Sequence, residues 1–120
     1  MHPNCTIYKA MGFLGKKWSI LILLELYKGE DGPKRYSEVK RKMSSITPKM
    51  LAARLRELEK GGLVKRVVDT KSIPVRSEYS LTDSGRDFVK VIRAIKSWGV
   101  KWGFGRHSYC RETDCRSCEF

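Results

Sequence analysis

Two groups of side chains in this 120-residue sequence have the types and spacing to do chemistry. The first is Lys49, Ala53, Arg56 and Lys60. At about 3.6 residues per turn these share one helical face, basic with a small residue between, which fits the major groove of duplex DNA. The second is His107, Cys110, Cys115 and Cys118, four soft or borderline ligands within twelve residues. Zinc takes four such donors tetrahedrally, and Cys-x-x-Cys is a favoured bite. An iron–sulfur cluster completed by Cys5 or by a second subunit fits the same donors. So does a thiol redox switch, with Arg111 and Arg116 favouring the thiolates. A tail without metal or redox role carries the same residues, and the sequence leaves these alternatives open.

The basic face needs a helix to carry it, and residues 46–66 supply one. Thr47 is a good N-cap, and Pro48 follows at the first helical position, where its missing N–H costs nothing. Leu51, Leu55 and Leu58 recur at i, i+4 and i+7, so an apolar stripe lies opposite the basic side. Gly61-Gly62 stops the helix, and a strand over residues 63–69 follows. Residues 77–81 alternate and read as a second strand, joined to the first by a basic loop. A capped helix followed by such a hairpin predicts an α+β, mostly helical, winged helix-turn-helix fold with a two-stranded β-hairpin as the wing.

The remaining periodicities build a scaffold around that pair. Residues 6–14 predict a first helix with Ile7, Ala10, Met11 and Leu14 on one side. Residues 16–28 predict a second, apolar on nearly all sides and therefore central and buried. Arg35-Tyr36 reads as a very short strand, and residues 37–43 as a small helix with Val39 inward and Lys40, Arg41 and Lys42 outward. Thr82 caps a last helix, along which Phe88, Ile92, Ile95, Trp98 and Trp102 form an apolar stripe over roughly five turns. That stripe exceeds what a small domain covers by itself, which predicts packing against a second copy of the chain. Residues 1–103 therefore read as a DNA-binding and dimerisation domain, and residues 104–120 as a Cys-rich tail.

Charge agrees with this reading. The formal net charge is +12, from 25 Lys+Arg against 13 Asp+Glu. Between Lys34 and Arg66 stand eleven basic residues and three acids, a net +8 in about a quarter of the chain. Such concentration points to a polyanionic partner. Phosphate contacts fall to Lys40, Arg41, Lys71 and Arg76. Base-edge contacts fall to Thr47, Lys49, Met50, Ala53 and Arg56. Arg54 lies nearer the leucines, with a phosphate or the carboxylates of Glu57 and Glu59 as its destinations.

Other classes fare worse. His2 and His107 sit near the ends, with no Ser/His/Asp or paired-carboxylate arrangement, and the glycines follow no phosphate-loop spacing, so an enzyme is not expected. RNA binding lacks stacking aromatics in the basic zone, where Tyr36 stands alone. There is no signal-peptide pattern and no apolar run of membrane-spanning length, so a cytoplasmic protein without membrane contact is expected. The competing reading is a metal- or redox-binding interaction protein that does not act through DNA.

Several motifs in order resemble those of the HxlR-type winged helix-turn-helix regulators, relatives of the multiple-antibiotic-resistance (MarR) repressors. They are Gly15-Lys16-Lys17-Trp18, Arg35-Tyr36-Ser37-Glu38-Val39, Ile46-Thr47-Pro48-Lys49-Met50-Leu51, Arg54-Leu55-x-Glu57-Leu58-Glu59, Gly62-Leu63-Val64-x-Arg66, Pro74-x-x-x-Glu78-Tyr79-x-Leu81-Thr82-x-x-Gly85 and Trp98. Thr6 stands where the family usually has proline, and Lys16 where glycine is common. The resemblance implies a homodimer formed through the first and last helices. It also implies control of transcription, with the Thr47-capped helix in the major groove and the hairpin against the backbone or minor groove. Cys5 matches a cysteine that senses electrophiles or oxidants in some members, so the resemblance implies a redox-sensing role for it. No residue set identifies a small-molecule effector.

Overall fold

The computed structural model describes residues 2–29, 32–105 and 107–118, apart from the side chains of His107, Ser108 and Cys110. The chain runs α1 (Thr6–Leu14), α2 (Ser19–Tyr27), β1 (Lys34–Arg35), α3 (Tyr36–Lys42), α4 (Pro48–Lys60), β2 (Val64–Asp69), β3 (Arg76–Leu81), α5 (Asp83–Lys101) and α6 (His107–Glu112). A 3₁₀ turn at Cys115–Ser117 follows. The winged helix-turn-helix fold is thus present, and its sheet is one strand larger than the wing alone. Its order is β1-β3-β2, all antiparallel, with Lys34 opposite Tyr79 and Arg66 also opposite Tyr79 on the other side. β1 lies one residue earlier than Arg35-Tyr36, because Tyr36 already begins α3.

α2 is the hub and packs against α1, α3, α4, α5 and β3. Its Ile22, Leu23 and Leu26 are buried, whereas Leu21 is 51% exposed, so the helix is not enclosed on every side as its composition suggested. It also starts later than expected. Trp18 adopts a left-handed φ of 82°, and the Ser19 N–H donates to the Lys16 carbonyl. Residues 16–18 therefore make a turn, and the helix begins at Ser19. At the far end the Lys34 ammonium donates to the Glu25 carbonyl (2.8 Å), the Leu26 carbonyl (3.1 Å) and the Lys28 carbonyl. A cation there satisfies orphan carbonyls and opposes the negative end of the helix dipole.

α5 is started by Thr82, whose hydroxyl accepts from the Gly85 N–H (3.2 Å) and donates to the Gly62 carbonyl (2.5 Å). The same residue's N–H donates to the Leu63 carbonyl (3.0 Å). One threonine therefore ties the stop of α4, the base of the wing and the start of α5. Gly85 lies so close to that junction that a Cβ would sit 2.2 Å from the Leu63 carbonyl oxygen. Val89 and Ile92 of α5 are buried, but Ile95 and the two tryptophans of the stripe are exposed, Trp98 by 58% and Trp102 by 65%. On α1, Ile7, Tyr8 and Met11 are exposed while Leu14 is buried.

Residues 107–118 do not run free of the body. The Gly29 N–H donates to the Arg116 carbonyl (2.8 Å), and the Lys96 ammonium donates to the Thr113 carbonyl (2.5 Å). α6 and the 3₁₀ turn are thereby held against the end of α2 and the middle of α5.

Gly85→Ala should force the Leu63 carbonyl and α5 apart. Overpacking of this kind costs about 1–3 kcal/mol. Urea unfolding should show a lower midpoint at an unchanged slope; an unshifted midpoint would mean that the junction is looser than its geometry.

Candidate nucleic-acid interface

α4 owes its orientation to three leucines. Leu51, Leu55 and Leu58 are each 0% exposed, and they anchor one side of the helix in the core. With that side fixed, Lys49, Arg56 and Lys60 emerge fully on the other, with Ala53 partly covered among them. Thr47 caps the helix as expected, its hydroxyl accepting from the Met50 N–H (3.2 Å). Thr47 and Pro48 are exposed at that start, whereas Met50 is half-buried and packs on the rim of the core.

Arg54 follows the second of its two expected destinations. Its side chain is only 15% exposed, and its guanidinium binds Glu57 (3.2 and 3.3 Å) and the Lys17 carbonyl (3.0 Å). The Lys16 ammonium reaches the same Glu57 carboxylate at 3.1 Å. Together these contacts lock the turn before α2 onto the flank of α4, so Arg54 is spent on positioning that helix. The Arg54–Glu57 pair is part-buried and Lys16 more open to solvent, and the effect of these contacts here is to fix register.

A second positioning contact was not legible in advance. The Tyr36 hydroxyl, at the start of α3, donates to the Pro48 carbonyl (2.9 Å). Partial burial, and next to it the neighbouring Tyr79, push the Tyr36 phenol above its ordinary pKa. It stays protonated and able to donate at neutral pH. On the same small helix Arg41 and Lys42 are exposed and Lys40 is half-covered, all in the last turn, where positive charge suits the helix dipole.

The wing carries its charge on a structured tip. The Asp69 carboxylate accepts from the Ser72 hydroxyl (2.6 Å) and the Lys71 N–H (3.0 Å). These hydrogen bonds, Ser72 first, hold the Asp69 carboxyl below the usual carboxylate range. Lys71 is exposed on that turn, and Arg76 is half-buried opposite Asp69 in the strand register. Further down, the Arg66 guanidinium donates to the Ser77 hydroxyl (3.1 Å), bracing the two strands. The structure thus brings Lys49, Ala53 and Arg56 onto one open helix face and Lys71 onto a separate open tip.

This arrangement has relatives. Residues 13–106 match the HxlR-like helix-turn-helix family. The chain belongs to that family. The chain is also similar to an uncharacterized HTH-type transcriptional regulator of Methanothermobacter thermautotrophicus. It is 38% identical over 99 residues, covering 82% of this chain and 72% of the relative. Among solved structures, a MarR-family transcriptional regulator from Porphyromonas gingivalis W83 superposes with a TM-score of 0.73 at 32% identity, covering 84% of this chain and 95% of that one. The reduced form of the transcriptional regulator YodB from B. subtilis gives 0.69 at 36% identity, covering 82% and 94%. The chain is therefore a DNA-binding transcriptional regulator by family, and not an enzyme.

The cysteines lie in two places, Cys5 at the start of the chain and Cys115 and Cys118 at its other end. Cys5 is half-buried at the N-cap of α1 and makes no capping hydrogen bond through its side chain. Cys115 and Cys118 are half-buried in the C-terminal turn. The side chains of His107 and Cys110 lie outside the described residues, and among the described residues no three His, Cys, Asp or Glu gather as metal ligands. No described helix is long and apolar enough to cross a membrane.

Proposed function

We propose that this HxlR-like regulator binds specific duplex sequences as a homodimer. The observation that carries the reading is the rotation of α4: three buried leucines leave Lys49 and Arg56 exposed together, with Ala53 partly covered between them. α4 enters the major groove, with Thr47, Lys49, Met50, Ala53 and Arg56 toward base edges. Met50 reaches them only from the rim, being half-buried. Lys40, Arg41, Lys71 and Arg76 hold phosphates and set register, and Arg54 supports the helix from its flank.

The homodimer rests on apolar area left without cover. Ile95, Trp98 and Trp102 on α5 are exposed, Phe104 stacks on Trp98 at a centroid distance of 5.1 Å, and α1 adds Ile7, Tyr8 and Met11. A soluble surface rarely carries so many large apolar side chains unless another surface covers them. Residues 1–103 would then form the DNA-binding and dimerisation unit. Cys5, near the start of α1, is the proposed redox-sensing residue. YodB, which is similar to this chain, has been solved both reduced and after diamide treatment.

Competition binding to the DNA upstream of the protein's own gene tests the docking. Lys49→Ala should relax sequence preference, each lost base contact being worth about 1–3 kcal/mol. Lys71→Ala should weaken binding equally on all sequences and flatten its salt dependence. Both variants binding like the parent would refute this docking of α4 and the wing. For the assembly, Trp98→Glu should shift the protein to monomer in sedimentation equilibrium; an unchanged dimer would place the interface elsewhere.

A further inference from the structure

The α2–α5 face carries a cavity of about 340 Å³ that the regulator fold by itself does not explain. Its floor is Ile20 and Leu24 of α2 with Ile92 of α5, and its roof is Tyr109, Cys115 and Cys118. The roof comes entirely from beyond residue 106, where the match to the family ends. It is latched on both sides. On one side the Gly29 N–H donates to the Arg116 carbonyl, and the Arg116 guanidinium donates back to the Gly29 carbonyl at 3.4 Å. On the other the Lys96 ammonium donates to the Thr113 carbonyl.

We propose that this cavity is a binding site for a small, uncharged, apolar molecule. Three properties point to that class. The volume lies in the range of small-ligand sites, roughly 300–1,000 Å³. The walls are almost wholly hydrocarbon and thiol, and an apolar cavity prefers an apolar guest to water. The two cations at its edge are already engaged: Lys96 with the Thr113 carbonyl, and Lys28 with Glu25 at 3.7 Å. A carboxylate or phosphate would have to displace those contacts and would meet hydrocarbon, whereas a neutral ring system needs neither. Leu21 also lines the cavity and is half-exposed, so the site communicates with solvent. The two thiols in the roof make occupancy chemically visible, because a guest beneath them shields their sulfurs.

The test uses the full chain and the neutral fluorescent dye N-phenyl-1-naphthylamine. The dye should bind saturably, one molecule per chain. Leu21→Glu, which sets a carboxylate on the apolar wall from a tolerant exposed position, should weaken binding about tenfold or more. Ile73→Glu, an apolar-to-acid change on the exposed wing loop and outside the cavity, should leave it unchanged. Bound dye should slow alkylation of Cys115 and Cys118 by iodoacetamide, read by peptide mass spectrometry, and leave Cys5 at its original rate. The proposal is overturned by the absence of saturable binding. It is also overturned by binding that ignores Leu21→Glu and leaves Cys115 and Cys118 as reactive as before, which would put the dye on the exposed tryptophan stripe.

Discussion

The burial of Leu51, Leu55 and Leu58 is the constraint on which the interface depends. A helix is a rigid rod, and choosing which side enters the core chooses which side faces out. Truncating any one of these to alanine would cost about 2–5 kcal/mol by the usual behaviour of buried leucines, a large share of a small domain's stability. No other rotation of α4 keeps all three dry. The exposed side is therefore decided by hydrophobic burial, and the basic residues take the place that burial leaves them.

Around that constraint the polar contacts act as guides. Tyr36 holds the start of α4 through the Pro48 carbonyl, and Arg54 with Lys16 and Glu57 holds its flank to the turn before α2. Thr82 joins the end of α4 to the wing and to α5. Each contact is modest in energy, about 0.5–1.5 kcal/mol for an ordinary hydrogen bond. Their shared effect is angular: they fix how far the wing stands from the helix, which sets whether both can touch one duplex at once. In the proposed homodimer, two-fold symmetry would place two such helices at a set spacing.

Much of this was legible in the sequence because it rests on local rules. The Thr47-Pro48 cap, the leucine spacing, the Gly61-Gly62 stop and the Thr82 cap each depend on residues within one or two turns, and the structure has all four. What escaped was long-range or backbone-borne. The late start of α2 comes from the left-handed backbone of Trp18, which no side-chain pattern encodes. Arg54 reaches a carbonyl 37 positions away, and Tyr36 a carbonyl 12 positions away. Backbone acceptors have no residue type, so neither contact leaves a mark in composition. The exposure of Leu21 was hidden for a related reason: periodicity shows that a helix is apolar all round, and only the placement of its neighbours shows which side stays uncovered. The folded-back C-terminal residues likewise look polar by count, although Tyr109, Cys115 and Cys118 turn to hydrocarbon.

The central claim is geometric, that duplex DNA meets the exposed side of α4 and the tip of the wing. Backbone amide shifts followed by NMR, while duplex DNA from upstream of the protein's own gene is added, read that contact residue by residue. The account predicts the largest changes at Lys49, Ala53, Arg56 and Lys71, with α6 and the cavity beneath it undisturbed. Changes confined to α5 and the C-terminal turn, with α4 silent, would contradict it.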